Sequence, residues 1–126
     1  MESVYKKDGT SLNIMTEEDM KEINLAPYIN TSNWYYIQTA YCINRVVTIT
    51  LLIRSGTTDV KITQLINDEK FYPLGDTFGF VNIQSSVNDV GKILNTKLHS
   101  NGEIYIWIKE ALSYGESVTF IYPLKS

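Results

Sequence analysis

Trp34-Tyr35-Tyr36-Ile37-Gln38-Thr39-Ala40-Tyr41-Cys42-Ile43-Asn44-Arg45-Val46-Val47-Thr48-Ile49-Thr50-Leu51-Leu52-Ile53 is the stretch whose reading decides the fold. Its period is two. Tyr35, Ile37, Thr39, Tyr41 and Ile43 fall on one face, and Trp34, Tyr36, Gln38, Ala40 and Cys42 fall on the other. That alternation belongs to a strand, in which successive side chains leave opposite sides of the backbone. Asn44-Arg45 is a two-residue hinge into a second strand, a weaker signal than Asn-Gly. There Val47, Ile49, Leu51 and Ile53 stay in register, and the reverse face of Val46, Thr48, Thr50 and Leu52 is apolar enough to be covered as well.

The same grammar continues outward. Ser55-Gly56-Thr57-Thr58-Asp59 is a loop and Val60 to Leu65 a short strand. Phe71-Tyr72-Pro73-Leu74-Gly75-Asp76 turns the chain, and Phe78 to Ile83 resumes it. Ser85 to Asp89 is a polar connection, Gly91 to Leu98 another strand, and Asn101-Gly102 the strongest hairpin signal present. Glu103 to Lys109 and Ser117 to Tyr122 complete the set. Short strands with turn signals every 8–12 residues or so predict an all-β fold, an antiparallel sandwich or jelly roll.

The first 30 residues differ. Thr16-Glu17-Glu18-Asp19 has the shape of a capping box, with Met15 and Met20 at the staple positions. The pattern predicts a short helix from Glu17 to Ile23, stopped by Pro27. Residues 1–30 are therefore expected to form a connector with a short helix, the tail of something longer, and residues 31–126 the β-sandwich. Asp8-Gly9 marks a turn within that connector.

Composition narrows the function. A chain of 126 residues makes one domain. A net charge of -3 lacks the basic footprint of a nucleic-acid binder. No apolar run is long enough to cross a bilayer, so no membrane insertion is expected. Met1-Glu2-Ser3-Val4-Tyr5-Lys6 carries none of the apolar core of a signal peptide. Cys42 stands alone, which excludes an intrachain disulfide and a multi-cysteine zinc site. Nine Tyr against four Phe supply apolar bodies with polar tips, suited equally to binding surfaces and to strands.

Catalytic patterns are absent from the sequence. His99 has no serine or cysteine at a recognisable spacing and reads as a loop histidine. Asp59, Asp68, Glu69, Asp76, Asp89, Glu103, Glu110 and Glu116 sit mostly in turns, where carboxylates bond backbone amides rather than pair across a cleft. Asn67-Asp68-Glu69 is too thin a cluster for calcium, and the scattered glycines make no phosphate cradle. No enzyme activity, cofactor or metal is expected. The candidate binding residues are aromatic. After Asn101-Gly102, Ile104, Ile106 and Ile108 point one way, while Glu103, Tyr105, Trp107 and Lys109 point the other. Tyr105 and Trp107 then stand about 7 Å apart along the strand. They can form a platform for a sugar ring, a subunit interface or a second buried layer. Tyr36 poses the same question on the first strand.

Five features carry a family resemblance: Trp34 at the start, Tyr41-Cys42-Ile43-Asn44-Arg45-Val46-Val47, Ile62-Thr63-Gln64-Leu65, Phe71-Tyr72-Pro73, and Asn101-Gly102-Glu103-Ile104 leading to a last aromatic strand ending at Tyr122. With these the chain resembles the C-terminal head domains of phage tail fibres and receptor-binding proteins, those of phages and prophages of Gram-positive bacteria above all. Residues 4–27 look like the shaft-to-head connector of such fibres. The chain departs from the family at Leu65-Ile66, where the family usually has Leu-Pro, and near Ile53, where it often has glycine. The resemblance implies a β-sandwich that assembles as a homotrimer at the virion tail tip. Its implied task, outside the cell that synthesised it, is to recognise a bacterial cell-wall glycan or teichoic acid. A structural cap that registers a trimeric fibre without binding receptor, and an unrelated carbohydrate-binding module, are the alternatives. The loops Ser55 to Asp59, Asp76 to Gly79 and Ser85 to Asp89 are the places where specificity is expected.

Overall fold

A computed structural model describes residues 21–82, 92–113 and 115–124. Among them, nine strands run β1 Ile23–Asn24, β2 Tyr35–Ile43, β3 Val46–Ile53, β4 Asp59–Gln64, β5 Thr77–Phe78, β6 Phe80–Asn82, β7 Ile93–Leu98, β8 Glu103–Ile108 and β9 Ser117–Pro123. Single 3₁₀ turns occur at Ala26–Tyr28 and Glu69–Phe71. All described pairings are antiparallel. They form a five-stranded sheet in the order β1-β2-β3-β9-β6 and a four-stranded sheet in the order β4-β8-β7-β5. The expected all-β sandwich is the observed fold.

The core lies between the sheets. Val47, Ile49, Leu51 and Ile53 of β3, with Val118, Phe120 and Tyr122 of β9, face Leu98 of β7 and Ile104, Ile106 and Ile108 of β8. The predicted alternation holds along β3 and β8. Along β2 it does not. Ile37 pairs with Leu51 but Thr39 with Thr50, so Gln38 is the extra residue of a β-bulge. The bulge moves every side chain beyond it to the opposite face. Tyr35 points inward on one side of it, and Cys42 on the other, whereas Tyr36 is exposed. The expectation that Tyr36 shares a face with Ala40 and Cys42 is thereby corrected.

Turn chemistry sets the register. Asn44 and Arg45 both have positive φ, 56° and 63°, as the tight two-residue hairpin between β2 and β3 requires. The β7–β8 hairpin has a three-residue loop. Gly102 N–H donates to His99 O at 2.9 Å, His99 N–H to Glu103 O at 2.8 Å, and Gly102 takes φ 82°. That is a β-turn followed by a glycine bulge. The Gly102 carbonyl accepts from both Leu65 N–H and Ile66 N–H, each at 3.0 Å. A proline at 66 would lose one of those donors.

Of the single strand expected from Phe78 to Ile83, the described part, Phe78 to Asn82, is divided. β5 pairs with β7 in the four-stranded sheet and β6 with β9 in the other. The chain changes sheets at Gly79, where an added Cβ would lie 2.5 Å from Val118 Cγ1 and 3.0 Å from Phe120 Cε1. Only hydrogen fits where the backbone crosses over the core.

The expected N-terminal helix also needs revision where it can be seen. Ile23 is not its last turn but the first residue of β1, paired with Cys42. Pairing covers the last part of an otherwise bare β2 edge, at Tyr41 and Cys42. The capping box Thr16 to Asp19, the turn at Asp8-Gly9 and the loop Ser85 to Asp89 lie outside the described residues. Leu25 and Ile29, from the end of the expected connector, are buried in the core.

Candidate functional site

The four-stranded sheet turns an unusual face to solvent. Register places Val60 opposite Trp107 and Ile62 opposite Tyr105. Tyr105 is also opposite Lys97, and Lys97 opposite Phe78. Side chains directly opposite on one face lie about 4.5–5.5 Å apart at Cβ. Val60, Ile62 and Trp107 are 48%, 56% and 44% exposed, and Phe78 66%. Tyr105 is partly covered, and the Lys97 ammonium sits 5.2 Å from the Phe78 ring centre. Trp107 and Tyr105 thus share a solvent-facing surface of one chain, not an inner layer. The strand's own alternation made that legible. The aliphatic neighbours Val60 and Ile62 were not foreseen, because their place beside the aromatics depends on pairing β4 with β8.

The outer face of the five-stranded sheet is different. Thr39 is paired with Thr50, and Thr50 with Thr119, and the hydroxyls of the last two lie 3.0 Å apart. That rung is the threonine part of the face; Val46, Phe80 opposite Thr119 and Ile121 opposite Thr48 are exposed on either side of it.

Tyr36 stands on this second face and does not join Tyr105 and Trp107. It has another partner. The Arg54 guanidinium carbon lies 3.8 Å from the Tyr36 ring centre. Arg54 follows the last residue of β3, and its N–H donates to Trp34 O at 3.0 Å. Two grooves meet at this arginine. One, of about 360 Å³, is lined by Tyr36, Leu52 and Gly115 among others. The other, of about 310 Å³, is lined by Trp34, Thr57, Thr58, Asp59 and Lys61.

The walls of the second groove are fixed from several sides. Trp34 Nε1 donates to Thr63 Oγ1 at 3.0 Å, linking the start of β2 to β4 in the other sheet. Thr57 N–H donates to Arg54 O at 3.2 Å across a turn whose third residue, Gly56, has φ 84°. Gly56 N–H donates to Leu112 O at 2.8 Å, and Thr58 Oγ1 to Ile108 O at 3.2 Å. Asp59 then adopts φ 69°, a left-handed conformation that Asp tolerates better than most residues. The loop Ser55 to Asp59, expected to carry specificity, borders a groove. Arg54 was missed in the sequence, where it is one cation among eleven.

His99, read as a loop histidine, has a carboxylate neighbour. Asp76 Oδ1 accepts from Ser100 N–H at 2.9 Å, and Asp76 Oδ2 lies 3.3 Å from His99 Nδ1. These bonds hold the Asp76 carboxyl below its ordinary value of 3.8, the Ser100 amide contributing most and His99 next. Asp68 likewise accepts from Lys70 N–H at 3.1 Å. Both carboxylates cap turns, as read from the sequence. Among the described residues no group of three or more His, Cys, Asp or Glu side chains is placed to hold a metal ion. Among them, too, no helix is long and apolar enough to cross a membrane. No family model, no curated protein and no solved structure matches the chain.

Proposed function

We propose that this chain is a non-catalytic binding head: the host-surface glycan-reading tip of a phage tail fibre, acting as a homotrimer at the virion tail tip. The observation that carries the reading is the row Val60, Ile62 and Trp107, exposed with the half-buried Tyr105 along the outer face of the four-stranded sheet. A sugar platform pairs its aromatic ring with hydrogen-bonding groups. Here Asn95 and Lys97 flank the aromatics on the β7 side, but on the β4 side Val60 and Ile62 extend the row as an aliphatic strip that offers a hydroxyl nothing, and that strip favours a protein contact. Lys97 and Glu103 beside the row give identical copies opposite charges to set against one another. Cyclic assembly buries such a face on every protomer. The glycan then belongs to the polar grooves at Arg54, and three copies raise a weak single-site affinity by multivalency. The all-β sandwich is the fold implied by the resemblance to tail-fibre heads.

Light scattering on the purified chain tests the assembly, and sedimentation with host cell walls tests recognition. A trimer that sediments with the walls is the expected result. A monomer at micromolar concentration overturns the assembly. A trimer that ignores every cell wall offered leaves the structural reading, a fibre cap. Release of reducing sugar from the walls overturns the non-catalytic assignment.

A further inference from the structure

We infer that Arg54, stacked on Tyr36, is the anchor of an anion site that takes a single phosphate or carboxylate carried on a small polyol or sugar. The inference rests on the recognition reading only for the ligand's origin; the site itself is argued from the chain. Three observations converge on it.

The first is the state of the arginine. No hydrogen bond or ion pair from its side chain is found among the described residues, and its Nε is buried without a hydrogen-bond partner. A guanidinium is a fork of five donors matched to the oxygens of carboxylate or phosphate. With no such acceptor among the described residues, it is a recognition group open to one. Stacking on Tyr36 holds the planar group in place before the ligand arrives, so less freedom is lost on binding.

The second is charge. The chain as a whole carries -3, yet the groove of about 310 Å³ is bordered by two cations, Arg54 and Lys61, against one carboxylate, Asp59. A locally positive groove on an acidic protein selects anions.

The third is the polar rim. Asp59 and the Thr57-Thr58 turn border the same groove as the cations, and Trp34 adds an aromatic edge. Hydroxyls of a polyol or sugar find acceptors there while the acidic group meets Arg54. The volume is at the lower bound of small-molecule pockets, which suits one sugar or polyol unit rather than an oligomer.

Amide shifts in the full chain, titrated with glycerol 1-phosphate, inorganic phosphate and glucuronate, test the site, with glycerol and glucose as neutral controls. Saturable shifts confined to residues 54–61 and their neighbours are expected with the anions and not with the neutral compounds, at a Kd of about 1 mM or below. Glycerol 1-phosphate binding more tightly than glucuronate assigns the acidic group as phosphate; the reverse assigns it as carboxylate. Arg54→Gln weakens binding at least about tenfold, as expected for a lost charged hydrogen bond. Arg54→Lys keeps the charge but not the fork and weakens it by a smaller factor. Tyr36→Leu, which leaves all the guanidinium donors, gives a loss of several-fold. The dispersion of each variant's amide spectrum verifies its fold. No saturable shift with any anion, shifts elsewhere on the chain, or an Arg54→Gln variant that titrates like the native protein would overturn the site. Cell-wall sedimentation unaffected by Arg54→Gln also overturns it while leaving the recognition reading intact. Anion binding by a protein that ignores cell walls upholds the site and overturns the recognition reading.

Discussion

The Arg54 guanidinium carbon sits 3.8 Å from the centre of the Tyr36 ring, on the outer face of the five-stranded sheet. A cation over an aromatic ring at a partly exposed site contributes about 0.5–1 kcal/mol. A double-mutant cycle of Tyr36→Leu and Arg54→Gln, read by urea unfolding, is therefore expected to give a coupling energy in that range. Additive single losses would mean that the two groups do not interact in solution.

Gly79 makes a second prediction. An added methyl group there meets Val118 Cγ1 at 2.5 Å, with Phe120 and Thr96 at 3.0 Å. Val118 and Phe120 belong to β9 and Thr96 to β7, so packed strands of both sheets confine the site and no single neighbour can move aside. Gly79→Ala should lower unfolding stability by about 1–3 kcal/mol, the cost of overpacking a filled core. Gly75→Ala, where an added Cβ meets nothing within 4 Å, is the control and should change little.

Those two sites mark the limit of what the residues alone disclose. Turns were legible because their chemistry is local: Asn44-Arg45 and Asn101-Gly102 both close hairpins. The alternation along β3 and β8 was legible because each has one fully apolar face. The β2 bulge was hidden because both faces of that strand mix aromatic, polar and small residues, so either register satisfies the pattern. Without the bulge Tyr36 would lie opposite Ile53, with its side chain inside; with it, Tyr36 lies opposite Leu52 and reaches Arg54. The Gly79 crossing was hidden for another reason. A glycine between two phenylalanines says nothing of which sheet each pairs with. Trp107 and Tyr105 were found by alternation, and Arg54 was not, since its role comes from a partner eighteen residues back across a bulged hairpin.

Stability should depend on pH at both extremes. On the acid side, the Ser100 amide and His99 hold the Asp76 carboxyl below 3.8. A carboxyl lowered on folding contributes stability that is complete above its unfolded value and is lost as pH falls through the folded one. Asp76→Asn should remove that part of the acid limb in thermal melts taken between pH 5 and pH 2 or so. On the alkaline side, burial pushes the Tyr35 hydroxyl, which donates to Asn30 O, up to about 12. Burial, with a lesser contribution from Cys42, also raises Tyr122, whose hydroxyl donates to Phe71 O at 2.7 Å. For an acid raised on folding, stability is complete below its ordinary value of 10.0 and falls as pH rises toward the folded value. Each such tyrosine contributes a slope of up to about 1.4 kcal/mol per pH unit. Melting temperatures flat from pH 10 to 12 would show that neither hydroxyl stays protonated in the folded chain.

The exposed row on the four-stranded sheet separates assembly from folding. Val60 lies on the edge strand β4, about half-exposed and opposite Trp107, so a charge placed there reaches water in a lone chain without disturbing the core. In an assembly the same charge is buried against a neighbouring apolar face with no partner, and an uncompensated buried charge costs about 3–5 kcal/mol. Val60→Asp is thus expected to dissociate the oligomer while leaving the circular dichroism and chemical unfolding of the monomer within about 0.5 kcal/mol of the native chain. Thr48→Asp, on the threonine-bearing face of the other sheet, should leave the mass unchanged. If light scattering shows that Thr48→Asp dissociates the assembly and Val60→Asp does not, the protomers meet through the five-stranded sheet. The aromatic row would then be free for another partner, and the place of the sugar would have to be sought on Trp107 after all.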